Sequence, residues 1–180
     1  HADLERLRHA LKRRLDAMAN TISADFGHRA RAESVIADGM TVLNDIDHLL
    51  KHLRRWMKPT RAGVGWRFLP ARAQVRPVPV GVVGVIAPWN YPVNLSLIPL
   101  ATAIAAGNHV YLKPSEHTPK TSQFLRELLA EVFPPDRVAV ATGGAEIGSA
   151  FAGLPFDHLV FTGSTAVGRK VMAAAAQNLT

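Results

Sequence analysis

The chain has 180 residues, with 21 Lys+Arg against 14 Asp+Glu, eight His and no Cys. That length suits one ordinary domain or two small ones, and 48% apolar with 19% charged residues excludes a wholly disordered chain. The missing Cys excludes disulfides, thiolate metal sites and a cysteine nucleophile within these residues.

No stretch holds 18 uninterrupted apolar residues, so no membrane contact is expected. The opening His1-Ala-Asp-Leu-Glu lacks the apolar core of a signal peptide, and an unstapled domain fits a reducing cytoplasm. The net charge of +7 lies entirely in residues 1–76, which carry 15 Lys+Arg and 8 Asp+Glu. These cations alternate with Leu, Ala and acids, as in Leu4-Glu5-Arg6-Leu7-Arg8, so they read as the wet face of helices. No nucleic-acid motif accompanies them, and no nucleic-acid partner is expected.

Leu4, Leu7, Leu11 and Leu15 predict one amphipathic helix over 3–19. A break falls at Asp25 to Gly27. More helix follows from Arg31 to Arg55, with Val35, Ile36, Met40, Leu43, Ile46, Leu50 and Leu53 as its apolar face. Pro59 and Gly63 end this helical segment, assigned to 1–65. Residues 66–79 are Pro-punctuated and read as an extended arm. From Val80 onward, strands alternate with helices. Strands are expected at Val80–Ala87, His109–Lys113, Arg137–Ala141 and His158–Thr162. Helices are expected at Asn94–Ala106 (with Pro99 breaking or hinging it), from Thr118 as N-cap with Pro119 at the first position, at Ala145–Gly153, and from Thr165 to about Gln177. The fold class is α/β. Residues 80–180 form a parallel, Rossmann-like, doubly wound sheet, incomplete and preceded by the helical segment and the arm.

Ligands of such sheets sit at the carboxyl ends of the strands. Here those ends carry Pro88-Trp89-Asn90-Tyr91-Pro92, Lys113-Pro114-Ser115-Glu116, Thr142-Gly143-Gly144 and Thr162-Gly163-Ser164. The turn from Gly163 to Gly168 presents backbone N–H groups that attract phosphate, or else permits a tight turn and close helix packing. Lys113 can donate to ribose or phosphate oxygens and Glu116 can accept from ribose hydroxyls; the alternative is a surface ion pair. The Asn90 amide can donate to a developing oxyanion or can close an Asx-type turn. His48 and His52, four apart on a helix, lack a third ligand and read as solvated, and no metal is expected.

Four runs in this order and spacing carry a resemblance: Pro88-Trp-Asn-Tyr-Pro92, Ala105-Ala-Gly-Asn108, Lys113-Pro-Ser-Glu116 and Phe156-Asp-His-Leu-Val-Phe-Thr-Gly-Ser164 with Gly168. Over about 75–180 the chain resembles the aldehyde dehydrogenase superfamily, in particular its class 3 branch. The stretches Ala24–Ser34 and Lys51–Pro59 are similar to bacterial coniferyl aldehyde dehydrogenases. The resemblance implies oxidation of an aldehyde to its carboxylic acid with NAD or NADP. A cysteine thiolate adds to the carbonyl, and a glutamate activates the water that releases the acid. It makes Asn90 the oxyanion donor and places Lys113, Ser115 and Glu116 at the adenosine ribose. Phe161, Gly163, Ser164 and Gly168 fall at the pyrophosphate turn, Gly144 near the adenine, and Pro88 and Trp89 along the cofactor cleft. A carboxylate at 116 repels a 2′-phosphate, so NAD is the expected cofactor, with NADP possible. The nucleophile, the general base and a fifth strand are expected beyond Thr180, so these 180 residues alone are expected to be inactive. The full protein is expected to be a homodimer using the arm. The alternative is a non-catalytic nucleotide-binding or assembly module.

Overall fold

Apolar residues at helical spacing build the first layer. In the computed structural model, which describes residues 1–180, helix α1 (Ala2–Arg13) buries Leu4, Leu7 and Leu11. It stops at Arg14, whose backbone (φ −108°, ψ 14°) leaves the helical region, and α2 (Leu15–Phe26) starts afresh. The single helix expected over 3–19 is therefore two. Arg13 and Arg14 flank the break and both reach Glu131, at 2.5 and 3.6 Å, while Met18, Ala19 and Ile22 of α2 join the core.

Helix α3 (Arg31–Ser34) passes through a π-helical turn (Val35–Met40) into α4 (Thr41–Trp56). The wider turn shifts the side-chain register. Ser34, Asp38 and Gly39 are buried, whereas Ile36 is 65% exposed and Met40 also faces out. The expectation that Ile36 and Met40 share the apolar face is thus corrected, because a regular 3.6-residue period does not hold across this turn. Beyond it, Leu43, Ile46 and Leu53 are buried as expected.

The chain then leaves the body as a hairpin. Strands β1 (Thr60–Ala62) and β2 (Ala73–Val75) pair antiparallel, Thr60 opposite Val75, with every residue exposed. The arm thus begins at residue 60, before the expected Trp66, since its first strand lies upstream of the Pro-rich stretch.

Four parallel strands follow: β3 (Val82–Ile86), β4 (His109–Lys113), β5 (Val138–Val140) and β6 (His158–Phe161), in the order β5-β4-β3-β6. Ile86 lies opposite both Lys113 and Phe161. The connections run one way to β5 and then cross to β6, so the order reverses at β3, a doubly wound sheet. Val83, Val85, Val110, Leu112 and Val138 meet α5 (Asn94–Ala105) and α6 (Pro119–Val132), and α1, α2 and α4 form a further layer on those helices. Tyr111 faces the other way, its ring 4.9 Å from that of Phe151 in α7 (Ala145–Ala152) and 6.4 Å from that of Phe156. Helix α8 (Thr165–Ala175) follows β6.

Pro99 does not break α5, contrary to expectation. One backbone bond is lost there, but Ser96, Leu97, Leu100, Ala101, Ala103 and Ile104 are buried around it, and their packing carries the helix through.

Two residues of the quoted runs fasten the amino edge of the sheet, away from the ligand edge. Asn108 Oδ1 accepts from the Val80 and Gly81 amides at 2.7 and 3.0 Å, and Asp157 Oδ2 accepts from the Val82 amide at 2.7 Å. Gly81 has φ +133°, and a Cβ there would fall on the Asp157 carboxylate, so glycine is required twice over.

Candidate cofactor and active site

Parallel strands put all four of their carboxyl ends on one edge, and the loops that follow line it. A cleft of about 310 Å³ lies between the ends of β3 (Ile86, Ala87) and β4 (Lys113–Glu116), the small residues of α7 and the Val167–Ala174 stretch of α8. A second, of about 370 Å³, runs from Pro114–Glu116 to Thr142–Gly144. The two adjoin at Ser115 and Glu116.

Lys113 ends β4 on a buried register position; its side chain is 3% exposed. Nζ donates to the Pro114 carbonyl at 2.9 Å and stands 3.5 Å from Glu116 Oε2. An ammonium has three donors, and these two contacts leave one for a guest. A surface ion pair, the alternative open from sequence, does not describe a lysine this buried. The Glu116 carboxyl is held below the usual carboxylate range, first by its own backbone amide and then by the Lys113 charge, against partial burial. It is therefore ionised throughout the neutral range. Ser115 Oγ accepts from the His117 amide at 3.2 Å, and its carbonyl accepts from Ser122 Oγ, which pins the turn between the clefts. Gly144 lines the second cleft.

The β6 turn is a packed corner. The Phe161 ring lies 2.5 Å from where a Cβ of Gly163 would stand, so a side chain there would displace the ring, and 3.2 Å from one at Gly168, a tight contact that a shift of a few tenths of an ångström would relieve. Ser164 caps α8, its Oγ accepting from the Val167 amide. None of Phe161, Gly163, Ser164 and Gly168 lines either cleft, though Val167, Lys170 and Val171 of the same helix do. Sequence reading missed Lys170 and the stripe Ala145, Gly148, Ser149, Ala152 that forms the facing wall. The small residues at helical spacing were the available signal.

The β3 loop is held differently. Trp89 is half exposed and tilts against Phe26 of α2, ring centroids 6.1 Å apart, so neither it nor Pro88 joins the Lys113 cleft. Asn90 borders an open hollow with Phe26, His28, Arg29 and Tyr91. Its side-chain amide has no partner in the chain; its backbone carbonyl accepts from Arg29 Nη1 at 2.9 Å. The Asx-type turn open from sequence does not form: the residue two ahead is Pro92, which has no N–H to donate.

Two carboxylates that sequence reading missed organise the helix starts at this edge. Asp38 Oδ1, fully buried on the π turn, accepts from the Val93 and Asn94 amides at the start of α5, both at 3.0 Å. Asp25 accepts from the amides of Lys120 and Thr121 and from the Thr121 hydroxyl, at 3.1, 2.7 and 2.8 Å. Thr118, expected to cap α6 itself, makes no side-chain cap bond. Its hydroxyl is buried without a partner, because Asp25 has taken the orphan amides. No group of three or more His, Cys, Asp or Glu is placed to hold a metal ion, and no helix is long and apolar enough to cross a membrane.

A family model described as aldehyde dehydrogenase family matches residues 1–180. A Pseudomonas aeruginosa protein named probable coniferyl aldehyde dehydrogenase is 51% identical over 177 residues, covering 98% of this chain and 37% of its own length. AldH of Staphylococcus aureus, solved in a substrate-bound state, superposes with a TM-score of 0.94 at 33% identity, covering 99% of this chain and 39% of its own. PnpE, solved in complex with nicotinamide adenine dinucleotide, superposes at 0.84 with 30% identity, over 99% of this chain and 38% of its own. The chain thus spans little more than a third of the length of each of these relatives. With its whole length matched and a doubly wound sheet presenting Lys113 and Glu116 at the carboxyl edge of its strands, the chain belongs to the aldehyde dehydrogenase family.

Proposed function

We propose that residues 80–180 hold NAD for an aldehyde dehydrogenase that converts an aldehyde, coniferyl aldehyde or another aromatic or fatty aldehyde, to its carboxylic acid. The observation that carries this reading is the buried Lys113 ammonium with one free donor, beside an ionised Glu116 at the mouth of two adjoining clefts. That donor set fits an adenosine ribose: the carboxylate accepts from the 2′- and 3′-hydroxyls and the ammonium donates to a hydroxyl oxygen. The small-residue wall of α7, facing Val167 and Val171 of α8, leaves a slot for the flat base. The likeness to PnpE, solved with nicotinamide adenine dinucleotide, supports the same assignment.

When bound, the dinucleotide supplies the two-electron oxidant. This chain's own contribution is the Asn90 side-chain amide, which donates to the carbonyl oxygen as negative charge develops on it. The chain holds no Cys, so the attacking thiolate has to come from residues outside this sequence. We assign 1–59 to bracing the β3 loop, the hairpin arm of 60–79 to contact with a second copy, and 80–180 to the cofactor.

Titration calorimetry of the chain with NAD and NADP tests the reading. NAD is expected to bind more tightly than NADP. Glu116→Gln should narrow the gap by about tenfold, the scale of one charge contact. Lys113→Met should weaken both. Because the Glu116 pKa is lowered, its discrimination should stay flat from about pH 7 to pH 9, where the 2′-phosphate is also doubly ionised, weaken as that phosphate gains a proton at about pH 6, and vanish as pH drops through the lowered carboxyl value. Equal affinity for the two nucleotides in the unaltered chain would overturn the ribose assignment.

A further inference from the structure

We propose that Arg29 is the positioning residue for Asn90, holding the β3 loop so that the carboxamide is set before the aldehyde arrives. This rests on the reading of Asn90 as the oxyanion donor.

The Arg29 side chain is 6% exposed. A buried guanidinium requires acceptors, and most of what surrounds this one is not directional. Nη2 stands 3.4 Å from Asp38 Oδ2 and Nε 3.2 Å from Glu33 Oε1, but neither approach has hydrogen-bond geometry, so both attractions are coulombic. The guanidinium lies 5.1 Å from the Phe26 ring centroid and 4.9 Å from that of Tyr91. Its one directional bond goes from Nη1 to the carbonyl oxygen of Asn90 itself, at 2.9 Å.

Asp38, the counter-charge of Arg29, spends its other oxygen on the amides of Val93 and Asn94. One ion pair therefore grips both ends of the segment 90–94: the guanidinium takes residue 90 and the carboxylate takes residues 93 and 94. Tyr91 lies over the cation between them. The Asn90 side chain, by contrast, has no partner in the chain, so its placement depends wholly on its backbone. An oxyanion donor loses its effect when displaced by a fraction of an ångström. Lysine cannot replace this arginine, because it lacks the planar fork that reaches a carbonyl and a carboxylate at once from between two aromatic rings.

The test is a double-mutant cycle in the full-length protein, with coniferyl aldehyde and NAD as probes. Asn90→Ala alone should lower kcat/KM by about 10²- to 10³-fold. Arg29→Lys should lower it by about 10- to 100-fold, mainly in kcat, with KM for NAD within about twofold. In the Asn90→Ala background, Arg29→Lys should cost less than about threefold, since the group it positions is gone. If Arg29→Lys costs its full factor in that background, or nothing in either, the positioning role is overturned while the Asn90 reading stands. If Asn90→Ala is itself harmless, the Asn90 reading fails, and the Arg29 role with it. Should Arg29→Lys not fold, the charge-free pair Arg29→Met with Asp38→Asn keeps the amide acceptor of residue 38 and removes the buried charges. It should show the same loss in kcat, and wild-type kcat in that pair would equally overturn the proposal.

Discussion

Asp25 and Asp38 do most of the local ordering at the ligand edge, and neither stands near its partners in the chain. Asp25→Ala removes three hydrogen bonds from the start of α6 and should cost about 1–2 kcal/mol, as cap losses do. Thr118→Val, at the formal cap position, should be close to neutral by urea denaturation, because its buried hydroxyl bonds to nothing. Asp38 also has a pH signature. Burial pushes its carboxyl above the usual carboxylate range, against the pull of the Asn94 and Val93 amides and of Arg29. A folded-state pKa above the unfolded one means a stabilising contribution that is full below the unfolded value, about 3.9. It is lost as pH rises through the folded value. The stability difference between the native protein and Asp38→Asn should therefore shift against the native protein across that interval and level off above it. Denaturation midpoints taken at half-unit steps of pH check this; a difference that moves the other way contradicts it.

Among the elements, the π turn over Val35–Met40 departs furthest from what a helical period allows one to read. The apolar spacing of Leu4, Leu7 and Leu11, the β-branched run Val82–Ile86 and the Gly and Pro stops were legible because each signal lies within a few residues of its effect. The π turn was not, since only its tertiary neighbours favour the extra residue, and for the same reason Asp38 was invisible as a cap. Trimming the turn should show this. Deletion of Ile36, an exposed side chain, would restore the ordinary period and swing Asp38 out of the core, at a cost of several kcal/mol, about that of uncoupling a buried charge. Ile36→Ser, which keeps the turn, should cost about 0.5 kcal/mol or less by thermal or urea unfolding. The strand-end motifs were legible as a group, because a parallel sheet gathers them on one edge. Their division of labour was not. Asn108 and Asp157 fasten the far edge, and Trp89 leans on α2 instead of the Lys113 cleft.

Across the whole molecule the apolar core is lopsided. It is continuous from α1, α2 and α4 through α5 and α6 to one face of the sheet, whereas β6 is only half-buried and Val167, Met172 and Leu179 of the last segment face outward. Hydrogen exchange should find β6 and α8 opening at lower free energy than β3, β4 and α5; equal protection across all five would count against this. The asymmetry also gives the two long-range caps a temporal meaning. Asp25 and Asp38 precede the amides they receive by 96 and 56 positions at most. During synthesis the ribosome releases both carboxylates before the α5 and α6 amides that they receive. Translation thus presents each acceptor ahead of the helix start that it caps in the finished fold.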